Sequence, residues 1–157
     1  MEDERIHTRH LDTPLGNLRL TATDRGLCSV SFVEDGVREA DDHPVLQQAA
    51  EELREYFAGK RAHFTVPLDA AGTEFQCAVW RQLVTIPCGS TVSYAEIARA
   101  VGKPRGSQAV GKANGSNPLA IVVPCHRVVG TSGKLTGYAG GIDRKSWLLR
   151  HEGGLLL

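Results

Sequence analysis

Cys125 and His126 are the adjacent residues of this 157-residue chain with the plainest capacity for chemistry. They sit in Pro124-Cys125-His126-Arg127-Val128, directly after the apolar run Leu119-Ala120-Ile121-Val122-Val123. A cysteine attacks as its thiolate, and a neighbouring base or positive charge promotes that form. The apolar run reads as a buried strand that delivers both residues to its end. Successive side chains on a strand point to opposite faces. Cys125 and His126 can therefore cooperate only through a kink after Pro124 or a bridging water. On these residues alone, a reactive thiol and a core cysteine beside a surface histidine are equally good readings.

The other three cysteines have less company. Cys28 lies in the alternating run Leu27-Cys28-Ser29-Val30-Ser31-Phe32, Cys77 in a helical pattern, and Cys88 in the turn Pro87-Cys88-Gly89. No two form C-x-x-C, and no histidine flanks them at zinc-finger spacing, so no structural zinc site or other metal is expected. The charged start MEDERIHTRH lacks the apolar core of a secretory signal. A cytoplasmic protein without a disulfide framework is the expectation. No apolar run approaches the roughly 20 residues of a membrane-spanning helix.

The elements that must position Cys125 come in two parts. Ile6–Asp12, Asn17–Thr23 and Leu27–Phe32 alternate apolar and polar residues, with turn chemistry at Thr13-Pro14-Leu15-Gly16 and Asp24-Arg25-Gly26. Asp41-Asp42-His43-Pro44 starts a helix that shows Val45, Ala49, Leu53 and Phe57 on one face. His63–Leu68 reads as one more strand, and Asp69–Gly72 as a linker. Residues 1–70 form a structural domain in this reading, and residues 71–157 the functional one.

The second part is mainly helical. Thr73 caps a helix through about Val84. Ser93 and Glu96 form a capping box that opens a helix over Tyr94–Val101. A turn at Gly102–Gly106 leads to a short helix, Ser107–Asn114, which consists mostly of small residues. Two short helices joined in this way suggest a helix-turn-helix. The fold class expected is α+β: a β-meander with a helix, then a helical domain with a helix-turn-helix and a short active-site strand.

Net charge looks uninformative, with 18 basic and 18 acidic residues. The balance is a cancellation: residues 1–70 carry 14 acids and 8 bases, and residues 71–157 carry 4 acids and 10 bases. A basic half that also holds the helix-turn-helix points to a polyanionic partner.

Pro124-Cys125-His126-Arg127-Val128 resembles the active-site motif of O6-alkylguanine-DNA alkyltransferases. The resemblance extends in order and spacing to Gly72–Gln76, Ile86–Gly89, Ser93–Ala98, Ala109–Gly111, Ala113–Pro118, Gly137–Gly141 and Trp147–Gly153. The family flips an O6-alkylated guanine out of duplex DNA, approached from the minor groove, into a pocket. A thiolate then takes the alkyl group irreversibly, and the resemblance implies no cofactor and a monomer. It assigns Cys125 as acceptor, His126 as the base acting through a water, and Glu152 as the group that polarises His126. Tyr94 would stabilise the leaving guanine, and Asn117 would tie the helix-turn-helix to the active-site strand by hydrogen bonds. Val128, Tyr138, Ala139 and Gly140 would line the substrate pocket. Arg105, Ser107, Gln108, Ala109, Lys112, Ala113 and Arg127 would meet DNA. One position departs from the family: Gln108 stands where an arginine normally enters the base stack. Glutamine lacks the charged, stacking guanidinium, so weak and salt-sensitive duplex binding is expected. An alternative is a diverged alkyltransferase that acts on single strands, free bases or another alkyl donor. A non-enzymatic lesion binder is disfavoured by the presence of Cys125.

Overall fold

The computed structural model describes residues 5–34, 41–130, 133–135 and 137–153. The chain divides into two compact units, Met1–Ala71 and Gly72–Leu157.

The first unit is a three-stranded antiparallel meander with a helix. Strands β1 (His7–Thr13), β2 (Gly16–Thr23) and β3 (Gly26–Val33) pair in sequence order. The register sets Leu11 opposite Leu18 and Leu20 opposite Val30. These four residues are buried with Ala22 and Leu27. Helix α1 (Pro44–Phe57) buries Leu46, Ala49, Ala50, Leu53 and Tyr56 in the same unit. His43 caps α1 by accepting the Val45 N–H.

The segment 63–68 makes no strand, only an isolated parallel bridge between Leu27 and Leu68. The Pro67 carbonyl accepts the Leu27 N–H at 2.8 Å, but the N–H groups of Thr65 and Val66 go elsewhere. The buried Glu52 carboxylate accepts the Thr65 N–H at 2.9 Å and the Val66 N–H at 3.1 Å. Pro67 has no N–H to give. The segment still packs tightly, since a Cβ on Gly26 would lie 2.8 Å from the backbone of Pro67 and Leu68.

The second unit starts with helix α2 (Glu74–Val84), held by a reciprocal capping box between Thr73 and Gln76. A matching box between Ser93 and Glu96 opens helix α3 (Tyr94–Ala100). Helix α4 (Ser107–Gly115) packs against α3 and α2. The Trp80 indole N–H on α2 donates to the Ala113 carbonyl at 2.9 Å. Two short strands, β4 (Val92–Ser93) and β5 (Val128–Val129), pair in parallel. Helix α5 (Ile142–His151) closes the described part of the unit.

The run 119–123 is buried as expected but is not a strand. The Val123 N–H bonds the Leu119 carbonyl at 2.9 Å, and the Val122 N–H bonds that of Ala120 at 2.8 Å. Ile121 adopts a left-handed φ of 72°, a strained state for a β-branched residue. Pro118 and Pro124 bracket the run and remove donors a ladder needs. The Asn117 side chain supplies substitutes: it accepts the Leu119 N–H at 3.0 Å and donates to the Val123 carbonyl at 2.8 Å. The segment thus curls around one amide, and the strand near the active site is β5, after the cysteine.

Candidate active site

Cys125–Arg127 form one turn of 3₁₀ helix directly after Pro124. With three residues per turn, neighbouring side chains diverge by about 120° instead of lying on opposite faces. The backbone therefore kinks directly after Pro124. The turn feeds into β5, and the β4–β5 pair sets Ser93 beside Val129. Ser93 is also the cap of α3, so Tyr94, the first residue of the helix-turn-helix, is fixed relative to the cysteine turn.

The three side chains of the turn are buried: Cys125 is 6% exposed, His126 0% and Arg127 5%. His126 Nε2 lies 2.7 Å from the Glu152 carboxylate. That carboxylate is itself fully buried and also accepts two hydrogen bonds from Arg127, at 2.8 Å from Nε and 3.0 Å from the second guanidinium nitrogen. A buried carboxylate is costly unless paired and hydrogen-bonded, and here both conditions are met. Arg127 donates its remaining arm to the Ile86 carbonyl at 2.7 Å. The turn Ile86-Pro87-Cys88-Gly89 is thereby held at the Glu152 end of α5. Gly89, at φ 90°, is required there, because a Cβ would come within 3.1 Å of the Glu152 carbonyl oxygen.

The electrostatics define the resting protonation states. Burial pushes the Cys125 thiol above its ordinary pKa, while a hydrogen bond from Asn117 and the Lys145 charge pull it back. Burial also lowers the His126 pKa, against the opposing pull of Glu152. The pair at rest is a thiol and a neutral imidazole. Glu152 accepts the proton on Nε2, which leaves Nδ1 as the basic nitrogen. Nδ1 is buried and has no hydrogen-bond partner among the described residues.

Lys145 completes the site. It is fully buried, and desolvation lowers its pKa to about 8, with the Cys125 charge acting to raise it. Its Nζ lies 5.9 Å from the centre of the Tyr94 ring. Tyr138 points a buried hydroxyl into the interior, and burial together with the Cys125 charge raises its pKa. Burial likewise keeps Cys88, beside Glu152 and Arg127, as a thiol.

Cys125, His126, Glu152 and Asn117 are therefore brought together, with Tyr94 and Tyr138 near them. Val128 is buried, Gly140 half-buried and Ala139 exposed. Gln108, Ala109 and Lys112 are exposed on α4, Arg105 is exposed in the turn before it, and Ser107 is half-buried. Two of the residues expected to meet DNA lie inside. Ala113 is buried against Trp80, and Arg127 has its guanidinium committed to Glu152 and Ile86. A basic residue in a motif reads as available, but burial spends this one inside. Lys145 was missed for the converse reason. Its signal was its spacing: Lys145, Leu148, Leu149 and Glu152 share one helical face, and the first three are buried.

Two family profiles match the chain. Residues 6–70 match "6-O-methylguanine DNA methyltransferase, ribonuclease-like domain", and residues 74–154 match "6-O-methylguanine DNA methyltransferase, DNA binding domain". A methylated-DNA–protein-cysteine methyltransferase of Mycobacterium tuberculosis is 47% identical over 152 residues, covering 94% of this chain and 92% of the relative. A protein of the same name from Methanosarcina acetivorans is 46% identical, covering 90% and 95%. A crystal structure of the Mycobacterium tuberculosis protein in complex with DNA superposes with a TM-score of 0.86 at 48% identity, covering 94% of this chain and 92% of that one.

Proposed function

This chain belongs to the 6-O-methylguanine DNA methyltransferase family of DNA-repair alkyltransferases, and we propose that Cys125 is its alkyl acceptor. The observation that carries this assignment is the buried chain Cys125–His126–Glu152, in which His126 presents an unpartnered Nδ1 and binds Glu152 through Nε2.

The substrate is duplex DNA with an O6-alkylated guanine, entered from the minor groove and flipped into the pocket bounded by Tyr138, Ala139, Gly140 and Val128. Cys125 Sγ attacks the alkyl carbon, an S–C bond forms, and the bond from that carbon to O6 breaks. The thiol proton passes to His126 Nδ1, relayed by a water, and the Glu152 carboxylate stabilises the imidazolium that results. Arg127 positions Glu152, and Asn117 fixes the turn that carries Cys125. Lys145 supplies positive charge where the thiolate develops. Tyr94 stabilises the leaving guanine, a contribution realised as charge grows in the transition state. The thioether is stable, so each molecule acts once. No metal or cofactor enters any step.

The exposed residues Gln108, Ala109 and Lys112 of α4, with Arg105 in the turn before it, meet the DNA. The two basic residues contact phosphates, and Gln108 occupies the position that enters the stack. The protein works as a monomer. A DNA substrate puts its action inside the cell, in keeping with the expected cytoplasmic location. The relatives do not favour the diverged alternative, since one at 48% identity was crystallised with DNA.

The test is incubation with duplex DNA that carries O6-methylguanine, followed by peptide mass spectrometry. One methyl group on the peptide containing Cys125, absent from Cys125→Ala, is the expected result. Methyl transfer that persists in Cys125→Ala would overturn the assignment.

A further inference from the structure

The N-terminal unit holds a second cluster of ligating side chains that alkyl transfer does not use. His7 lies on β1, Asp24 in the turn between β2 and β3, and His43 caps α1. Asp24 Oδ1 is 3.0 Å from His43 Nε2 and 3.7 Å from His7 Nε2. One ligating atom from each residue falls within 4.8 Å of the other two. The two imidazole rings stack with centroids 4.3 Å apart and planes at 28°. We propose that His7, Asp24 and His43 form a site for a divalent transition-metal ion of the zinc class.

The distances fit such an ion. A tetrahedral centre with arms of about 2.0–2.1 Å has ligand-to-ligand edges of roughly 3.3–3.4 Å. The two edges at Asp24, 3.0 and 3.7 Å, straddle that value. Two imidazoles and one carboxylate suit zinc, nickel or copper, whereas magnesium and calcium prefer oxygen throughout. The histidine side chains are only 18% and 12% exposed, while Asp24 is 86% exposed. The nitrogens thus offer a sheltered pair, and the carboxylate closes the site from the solvent side, with one position left for water.

A simple surface ion pair explains one histidine on Asp24. It leaves the second, stacked ring, whose Nε2 lies 3.7 Å from the same oxygen, without a close hydrogen bond to it. A metal ion uses both lone pairs at once. The cysteine spacing that argued against zinc concerns thiolate sites, and this one is built from nitrogen and oxygen.

Loading the site has a local signature. His43 Nδ1 accepts the Val45 N–H at 3.2 Å. An imidazole that binds metal through Nε2 carries its proton on Nδ1, so the Val45 amide must lose this partner. In exchange the ion pins the first strand, a hairpin turn and the start of α1 to one another, and binding to the folded state alone stabilises that state.

The full-length protein would be titrated with Co²⁺ and with Zn²⁺. Visible absorption reads the Co²⁺ ligand set, thermal unfolding reads Zn²⁺ stabilisation, and amide NMR reads Val45. The comparison set is His7→Gln, Asp24→Asn and His43→Asn, the last chosen because asparagine still caps a helix. The proposal expects tetrahedral Co²⁺ bands without thiolate charge transfer, a rise in unfolding temperature with Zn²⁺, and a shifted Val45 amide. It expects each variant to weaken binding by about tenfold or more, as loss of a ligand does. Absence of binding at millimolar metal, wild-type affinity in all three variants, or charge-transfer bands that place the ion on cysteines would each overturn it.

Discussion

Replacing Glu152 by glutamine separates the two tasks of that side chain. The wild-type carboxylate accepts His126 Nε2 at 2.7 Å and two Arg127 donors at 2.8 and 3.0 Å, with no solvent access. A glutamine has one carbonyl oxygen. If that oxygen stays on Arg127, the amide NH₂ faces His126 Nε2. Two donors cannot bond, so the imidazole must move its proton to Nδ1 and accept through Nε2. Nδ1 is then no longer a base. General-base assistance contributes about 10²–10⁴-fold, and a comparable wrong-tautomer change in a Ser-His-Asp triad costs about 10⁴-fold. The single-turnover rate of Glu152→Gln should fall at least about 100-fold. Arg127 loses its countercharge as well, and breaking a buried pair costs about 3–5 kcal/mol. The assay is rapid-quench transfer from O6-methylguanine duplex with protein in excess, beside urea unfolding of the same sample. Work below the unfolding transition keeps rate and stability apart. A folded Glu152→Gln that transfers within a few-fold of wild type would refute the argument that Glu152 sets the His126 tautomer.

Three further outcomes follow from the same geometry. Lys145 is held near pKa 8 against an ordinary 10.5. Between these values the unfolded chain binds the extra proton, so this group makes stability rise with pH across that window, while its burial cost is constant below it. Lys145→Met should be more stable at pH 7, flatten that rise in pH-dependent denaturation, and transfer the alkyl group more slowly; an unchanged rate would remove Lys145 from the mechanism. Glu52 has a lowered pKa despite burial, because Gln48, Thr65 and Val66 donate to its charged form. Its contribution is present above the ordinary value of 4.5 and lost as pH falls through the lowered one. Glu52→Gln should therefore weaken the N-terminal unit at neutral pH, by about 1.5–3 kcal/mol per charged hydrogen bond lost, and blunt its acid unfolding, both read by circular dichroism. Gln108→Arg should tighten duplex binding, measured by fluorescence anisotropy at fixed salt; affinity equal to wild type would argue that residue 108 does not reach DNA.

Much of the fold was legible because its determinants are local. Capping boxes need residues three apart, and Ser93 with Glu96 could be read directly. The hairpins were marked by Pro-Leu-Gly and Asp-Arg-Gly turns. The misread elements depend on distant partners. The run 119–123 is apolar enough for a strand, but prolines at both ends and the Asn117 amide make a curl cheaper. Segment 63–68 alternates like a strand, but Glu52 takes its N–H groups. At the site, Arg127 looked available to DNA because nothing nearby in sequence announces that Glu152 will receive it. Lys145 looked like one of several surface cations on α5. Only its place on the face of Leu148, Leu149 and Glu152 distinguished it, and an apolar-face lysine becomes meaningful once a buried thiol is known to lie opposite.

In the proposed reaction Cys125 is a neutral buried thiol that transfers its proton to His126 as it takes the alkyl group. The most direct measurement is the rate and site of methylation by O6-methylguanine duplex for wild type and His126→Gln, with peptides mapped by mass spectrometry. The expected result is a single methyl group on Cys125 in wild type, formed once per molecule, and a rate lower by about 10²-fold or more without the imidazole. A methyl group on Cys88, or His126→Gln transferring as fast as wild type, would contradict it.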